Sequence, residues 1–238
     1  MGAFFIGPYG TYGFLFYLNL ELIMTTITLI SGGALGADSV WSYIAEKHGI
    51  KTIHLIGSGL SRPTGGIDDN RIREQKSGIN QAITYEQTAE AIKGLIVNNV
   101  IISGKPAKEY FRGELTTAQK LHARNYWQVE KGQQVLAVCN LANGMPTGGT
   151  ATAINLAIKL NKPTYVLNTQ DQEWYEYNGT KFVPCDTPKL KIKNTCIGSR
   201  SLVKYKVCKY GKWVYAPYVG ETVENKLRAK MEEVFNGI

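Results

Sequence analysis

The chain has 238 residues, 44% of them hydrophobic and 19% charged, which is typical of a globular domain and excludes a disordered or fibrous protein. Its formal net charge is +8. Residues 181–238 supply most of this charge, with 12 basic and 5 acidic side chains, against 15 and 14 in residues 1–180. The four cysteines form neither a CxxC pair nor a cluster with histidine, which argues against a metal site and favours reduced thiols in a cytoplasmic protein.

Residues 1–23, MGAFFIGPYGTYGFLFYLNLELI, differ from the rest of the chain. They lack the basic residues and the small-residue cleavage site of a signal peptide. Pro8, Asn19 and Glu21 interrupt the apolar run that a membrane span needs, so no membrane contact is expected. We interpret this segment either as an extension from an upstream start or as an arm that makes a homo-oligomer.

The first elements are predicted to form a strand–helix–strand unit. Residues 27–30 favour a β-strand and end in a glycine-rich turn, and residues 37–49 carry an apolar stripe at helical spacing. Thr52–Ile56 is a second short strand. Because two strands joined through a helix run in the same direction, this unit predicts a parallel sheet.

A second unit follows a long connection. Residues 57–82 are polar, glycine-rich and too long for an ordinary connection, so they are expected to be a functional lid or a mobile segment. Helical periodicity returns at 84–97 and at about 114–131. Val135–Cys139 is predicted as a buried strand, and Thr164–Leu167 closes the second strand–helix–strand unit.

The C-terminal part has a different pattern. Asn178-Gly179 stands between two β-rich runs at 173–184, which predicts a hairpin, and a helix is predicted at about 222–236. The sequence therefore predicts an α/β fold. A Rossmann-like parallel sheet flanked by helices occupies residues 24–170, and a β-rich, basic C-terminal extension ending in a helix occupies residues 171–238.

Two glycine-rich turns each follow a predicted strand and lead into a helix: SGGALGAD at residues 31–38 and PTGGTATA at 146–153. A helix N-terminus has unpaired N–H groups and a partial positive charge, and glycine lets the backbone approach a ligand. Each turn is therefore a candidate anion site, although close packing of a helix on a sheet is the alternative explanation. The candidate residues in the turns are Ser31, Gly32, Gly33, Gly36, Asp38, Thr147, Gly148, Gly149, Thr150 and Thr152.

Four segments in this order, SGGALGADSVW, ARNYWQV, TGGTATAINLAIKLNKPTYVLN and CIGSR, resemble the SLOG superfamily of Rossmann-like proteins. This group includes the Lonely Guy phosphoribohydrolases and the DNA-processing protein A family, and the similarity is greatest to SLOG proteins from bacteriophages and bacteria. The resemblance implies a pocket for a nucleotide or a nucleotide-derived molecule at the carboxyl ends of the strands, with no further cofactor.

The resemblance leaves the activity open. Lonely Guy enzymes carry a PGGxGTxxE motif whose glutamate serves glycosidic cleavage, and here that position falls near Asn155, so the carboxylate is missing from its usual place. Asp38, Asp68, Asp69 and Glu114 are the alternative carboxylates, and the sequence selects none of them.

Basic residues outside the turns supply further candidates. Arg124-Asn125 stands on a predicted helix where related SLOG proteins often keep Arg-Asn near the ligand, and a guanidinium suits phosphate through paired hydrogen bonds. The alternative is an exposed arginine on an amphipathic helix. Gly198, Ser199 and Arg200 form a candidate third anion contact. Structural roles are assigned to the three histidines, His48, His54 and His122.

The segment Lys189–Trp213 contains eight basic residues and no acidic one. Lys189, Lys191 and Lys193 alternate with apolar residues and are expected to share one face of a strand. Basic side chains interleaved with aromatic ones suit a single-stranded nucleic acid or a polyphosphate. The alternative is an edge strand that lysine keeps soluble.

The leading functional hypothesis is a non-catalytic binder of a nucleotide-derived small molecule. Such a protein would act as a sensor, or as a sponge by which a phage opposes host defence, and would work in the host cytoplasm if a phage encodes it. The alternatives are an enzyme that cleaves an N-glycosidic or phosphate bond and a single-stranded nucleic-acid-binding protein like the DNA-processing relatives.

Overall fold

The computed structural model describes residues 26–61, 72–209, 211–236 and 238. The interpretation of residues 1–23 lies outside the described residues, as do residues 62–71 of the predicted lid at 57–82, which include Asp68 and Asp69. No helix in the described ranges is both long enough and apolar enough to cross a membrane.

The first half of the described chain alternates strands and helices, as the sequence pattern predicts. Its elements are β1 (Thr28–Ser31), α1 (Ala37–Lys47), β2 (Lys51–Ile56), α2 (Ile72–Lys76), β3 (Ile79–Ala82) and α3 (Tyr85–Val97). The strand at Ile79–Ala82 lies inside the segment expected to be a lid. It pairs with β2 in parallel and forms one edge of the main sheet.

The middle of the chain supplies two more parallel strands and the helices between them. Its elements are β4 (Ile101–Ile102), β5 (Lys105–Pro106), α4 (Ala107–Tyr110), α5 (Thr117–Lys131), β6 (Gln134–Cys139), β7 (Leu141–Ala142), β8 (Met145–Pro146), α6 (Thr150–Lys159) and β9 (Thr164–Asn168). Helices α3 and α5 each begin with a capping box, in which Thr84 and Thr116 accept a hydrogen bond from a backbone N–H three residues later.

The C-terminal part contributes five strands, a short 3₁₀ turn and a helix. These elements are β10 (Trp174–Tyr177), β11 (Phe182–Pro184), β12 (Lys193–Gly198), the 3₁₀ turn Arg200–Leu202, β13 (Lys206–Lys209), β14 (Lys212–Tyr215) and α7 (Glu221–Glu233). The predicted hairpin around Asn178-Gly179 is confirmed by the antiparallel pairing of β10 with β11.

Eight strands form one sheet in the order β11-β10-β9-β6-β12-β1-β2-β3. The six strands from β9 to β3 are parallel, and β10 and β11 add an antiparallel edge. Helices cover both faces. Helices α1 and α7 pack around Trp41 and Trp174 on one face, and α3, α5 and α6 pack on the other. The predicted α/β fold with a parallel, Rossmann-like sheet and flanking helices is confirmed.

The strand β12 departs from the expected arrangement of the C-terminal region. It lies between β1 and β6 in the middle of the sheet, so residues beyond 170 complete the sheet. The expectation that Lys189, Lys191 and Lys193 share one strand face is wrong, because the strand begins only at Lys193. The alternative of a lysine-protected edge strand is wrong for the same element, since β12 is a central strand.

Candidate functional site

A cleft of about 580 Å³ opens at the carboxyl ends of β1, β6, β9 and β12. This volume lies within the range of small-molecule sites, and the place is where ligands bind in open parallel sheets. Helix α5 forms one wall, and the N-terminus of α6 and the segment 198–201 border the opening. The lining residues are Ala34, Asp38, Ala118, Leu121, His122, Arg124, Asn125, Gln128, Cys139, Asn140, Thr147, Gly148, Gly149, Thr150, Ala153, Thr169, Ile197, Gly198, Ser199, Arg200 and Ser201.

The first glycine-rich turn encloses a carboxylate of the protein itself. Asp38, in the first turn of α1, accepts hydrogen bonds from the backbone N–H groups of Gly32 at 3.2 Å and Ala34 at 3.3 Å. Its other oxygen accepts a hydrogen bond from Gly198 N–H at 3.1 Å, at the end of β12. An internal carboxylate thus occupies the anion-binding geometry of this turn, which the sequence had indicated as a candidate anion site.

Burial dominates the electrostatics of Asp38. It raises the pKa of Asp38 above its usual value, and the nearby Arg124 guanidinium and the N–H groups of Ala34 and Gly198 oppose that rise. Asp38 also connects the first turn to β12, because one carboxylate bridges both backbones. Asp38 therefore links two backbone segments at the cleft.

Arg124 points from α5 onto the backbone of the first turn. A Cβ added to Gly32 would lie 1.3 Å from Nη1 of Arg124 and 2.2 Å from its Cζ, so only a glycine leaves room for the guanidinium. The side chain is 6% exposed. Burial lowers its pKa, and the Asp38 carboxylate counteracts that effect.

The Arg124 guanidinium has no acceptor among the residues that the structure describes. Within the described ranges it donates no hydrogen bond and forms no ion pair, and its Nε is buried. A buried cation without a hydrogen-bond acceptor is costly, since it has lost its hydration without replacement. A cleft-lining guanidinium carries N–H donors that suit the oxygens of an anionic ligand.

The second glycine-rich turn is open to the cleft. Helix α6 begins after Gly149, and no side chain caps it. In the part of the chain that the structure describes, the N–H groups of Gly148, Gly149 and Thr150 have no acceptor. A Cβ at Gly149 would meet no atom within 4 Å, so solvent or a ligand can reach these donors. The helix N-terminus therefore offers unpaired N–H groups and a partial positive charge beside the cleft.

The segment 198–201 packs against the first glycine-rich turn. Ser199 O accepts a hydrogen bond from Ala37 N–H at 3.1 Å, and a Cβ at Gly36 would lie 2.5 Å from Cα of Arg200. Gly36 has a φ of 103°, in the left-handed region that favours glycine. This close contact places Arg200 at the cleft as a second, exposed cation.

Of the residues predicted from sequence, the structure brings most to one cleft. Ten line it: Asp38, Arg124, Asn125, Thr147, Gly148, Gly149, Thr150, Gly198, Ser199 and Arg200. The other five do not line it: Ser31, Gly32, Gly33, Gly36 and Thr152. Of the alternative carboxylates, Glu114 is exposed and does not line the cleft. Asn155, the counterpart of the Lonely Guy glutamate, does not line it either.

Six further polar residues line the cleft that the sequence did not identify as ligand-binding: His122, Gln128, Cys139, Asn140, Thr169 and Ser201. Burial and the nearby Arg124 lower the pKa of His122 to about 4, and burial raises the pKa of the Cys139 thiol to about 12. Both side chains are therefore uncharged near neutral pH. Gln128 follows Arg124 by four residues, so the two side chains share one face of the helix. This spacing is the sequence signal that would have indicated Gln128.

The cleft has few groups suited to bond cleavage. Asp38 is the only acidic side chain among the lining residues of the described chain, and its oxygens already accept three N–H groups. Within the described ranges, no three His, Cys, Asp or Glu side chains are grouped so that they could hold a metal ion.

No family model and no curated protein matches the chain in sequence. Among solved structures, the chain is similar to the crystal structure of the "Putative molybdenum carrier protein" from Syntrophus aciditrophicus SB, with 13% sequence identity and a TM-score of 0.44. The similarity covers 90% of this chain and 96% of that one.

Proposed function

We propose that this protein binds a nucleotide or nucleotide-derived small molecule in the cleft, with the phosphate held between Arg124 and the N-terminus of α6. The observation that carries the proposal is the buried guanidinium of Arg124, which lines the cleft and has no acceptor within the described residues. A phosphate would supply oxygens for its N–H groups and remove the cost of burying an unpartnered charge.

Two features support a phosphate over a neutral ligand. The free N–H groups at Gly148, Gly149 and Thr150 add donors at the positive end of a helix, and Arg200 adds a second cation. The resemblance of the sequence to the SLOG superfamily supports a nucleotide as the source of the phosphate. All four segments that carry it contribute residues to the cleft or to the elements around it.

We propose binding without turnover. The one carboxylate at the cleft is engaged by backbone N–H groups, and the His122 imidazole is poorly basic, with a pKa of about 4. General acid–base catalysis near neutral pH favours a group whose pKa is close to neutrality. A sensor or a sponge for a nucleotide signal fits these residues better than a hydrolase.

Calorimetric titration with nucleoside monophosphates tests the proposal. Arg124→Met should weaken binding by roughly 10- to 100-fold, because it removes charge-assisted hydrogen bonds. Gly149→Val should also weaken nucleotide binding, because the added side chain crowds the free N–H groups. The backbone at position 149 has a φ of −64°, which suits any residue. The exposed Arg112→Met serves as a matched control and should bind like the native chain.

Two results would contradict the proposal. One is a folded Arg124→Met variant with native affinity for every nucleotide that binds. The other is catalytic turnover of the nucleotide. After incubation and denaturation of the protein, the nucleotide should be recovered intact. Catalytic release of free base, ribose phosphate or inorganic phosphate would show that the protein is an enzyme.

A further inference from the structure

The cleft also has an uncharged part. Its lining includes Ala153 of α6, Ile197 of β12 and the uncharged thiol of Cys139, all of them buried. These side chains leave largely apolar surface against which a flat ring can pack. Gln128, from α5, stands among them as a polar group.

Gln128 carries a buried side-chain amide. It is 1% exposed, and neither Oε1 nor Nε2 makes a hydrogen bond within the described ranges. Its backbone carbonyl, by contrast, accepts a hydrogen bond from the Thr195 hydroxyl, which fixes this part of α5 against β12. A buried amide with an unused donor and an unused acceptor costs free energy that a complementary ligand edge would recover.

The position of Gln128 relative to Arg124 indicates how a ligand would be oriented in the cleft. The two residues are four apart on α5, so they share one helix face about 6 Å apart along the axis. Thr195, which bonds to Gln128, lies three residues before the end of β12, whereas Arg124 contacts the turn that follows β1. Gln128 is thus deeper towards the centre of the sheet than the phosphate end.

Asn140 adds a second acceptor. It lines the same cleft, and its Oδ1 is buried without a hydrogen-bond partner in the described chain. Within the described ranges, Gln128 Oε1 and Asn140 Oδ1 are two unused acceptors, and Gln128 Nε2 is an unused donor group. An exocyclic amino group provides two N–H donors, and a neighbouring ring nitrogen provides an acceptor. Glutamine and asparagine bind this edge of adenine with paired hydrogen bonds.

We infer that the inner end of the cleft recognises an amino-substituted nucleobase, such as adenine or cytosine, through the side-chain amide of Gln128. This inference rests on the proposed function, because it takes the phosphate end to be at Arg124. Gln128 is then a specificity-determining residue: it discriminates between bases and leaves the phosphate contact unchanged.

Calorimetry with inorganic phosphate, ribose 5-phosphate, AMP and IMP separates the two ends of the site. AMP should bind more tightly than ribose 5-phosphate and than IMP, in which an oxo group replaces the amino group. Gln128→Leu should remove that advantage, roughly 10- to 100-fold in affinity, and should leave phosphate and ribose 5-phosphate unchanged. Gln119→Leu, a buried amide on the same helix outside the cleft, is the control and should keep the preference for AMP.

Each outcome bears on a different step. If AMP keeps its advantage in a folded Gln128→Leu variant, or if AMP and IMP bind equally to the native chain, the assignment of Gln128 is overturned and the anion site stands. If neither phosphate nor any nucleotide binds the native chain, the proposed function itself fails. Should Gln128→Leu not fold, Gln128→Glu keeps the side-chain shape, and loss of the AMP preference is again expected because the Nε2 donor is gone.

Discussion

Gly32→Ala is the substitution that most directly tests how the cleft holds its cation. The added Cβ would lie 1.3 Å from Nη1, 2.2 Å from Cζ and 2.8 Å from Nη2 of Arg124. Ordinary contact between such atoms needs about 3.5 Å, so the guanidinium must retreat by about 2 Å. The arginine side chain is flexible, and the backbone of the turn can therefore stay in place.

The expected loss follows from the hydrogen bonds that Arg124 would make to a phosphate. Each such bond to a charged group contributes about 1.5–3 kcal/mol, and 1.4 kcal/mol corresponds to a tenfold change in the dissociation constant. We therefore expect Gly32→Ala to weaken nucleotide binding roughly 10- to 100-fold by calorimetry. The melting temperature should change little, since the displaced side chain has no hydrogen bond or ion pair to lose within the described ranges.

A double-mutant cycle distinguishes displacement of Arg124 from a general disturbance of the turn. In an Arg124→Ala background there is no guanidinium to displace, so Gly32→Ala should have little further effect on affinity. Fully additive losses would refute the reasoning, as would native affinity in a folded Gly32→Ala protein.

Two further predictions concern stability. The folded-state pKa of His122 is lowered to about 4, below the unfolded value near 6.5, so its contribution to stability is present above pH 6.5 and is lost as the pH falls towards 4. Thermal unfolding of His122→Gln should accordingly depend less on pH in this window than that of the native chain, and equal slopes would contradict the assignment. Arg228→Ala should lower the free energy of unfolding by about 3 kcal/mol in urea titrations, because its Nε and Nη1 each lie 2.8 Å from a carboxylate oxygen and one of these carboxylates is buried. Lys230→Ala, which removes an exposed contact with Glu233 at 3.4 Å, should cost less than about 1 kcal/mol, and equal losses for the two variants would refute this ranking.

Local patterns predicted most of the fold because each strand and helix carries its own signal. The buried strand at Gln134–Cys139 and the amphipathic helix at Thr117–Lys131 are readable from hydrophobic spacing alone. The position of β12 in the sheet cannot be read in this way. It lies between β1 and β6, and each of these strands is more than 50 residues away from β12 in the sequence. The lysines before β12 alternate like a strand, but the backbone there is irregular: Asn194 folds back to bond with both the N–H and the carbonyl of Lys191.

The candidate site could be predicted in part. Glycine-rich turns after strands indicate where a helix N-terminus meets the carboxyl end of a sheet, and the structure places the second turn and Arg124 at one cleft. The sequence could not show that Asp38 fills the first turn, since a helix-starting aspartate reads equally well as a cap or as a ligand-facing group. Nor could it identify Gln128, because a buried amide without a partner is recognised only once its surroundings are known.

The two glycine-rich turns thus have unequal roles, and the difference explains how an unpartnered guanidinium can persist in a folded protein. Asp38 is close enough to Arg124 to favour its charged form, yet its oxygens are held by backbone N–H groups and accept none of the arginine's hydrogen bonds. The first turn therefore supplies a countercharge without using the donors. Those donors remain available at the cleft, where the second turn contributes further N–H groups. We therefore expect replacement of Asp38 to weaken the proposed anion binding at Arg124, although Asp38 itself repels an anion. This effect is opposite to that expected from charge alone.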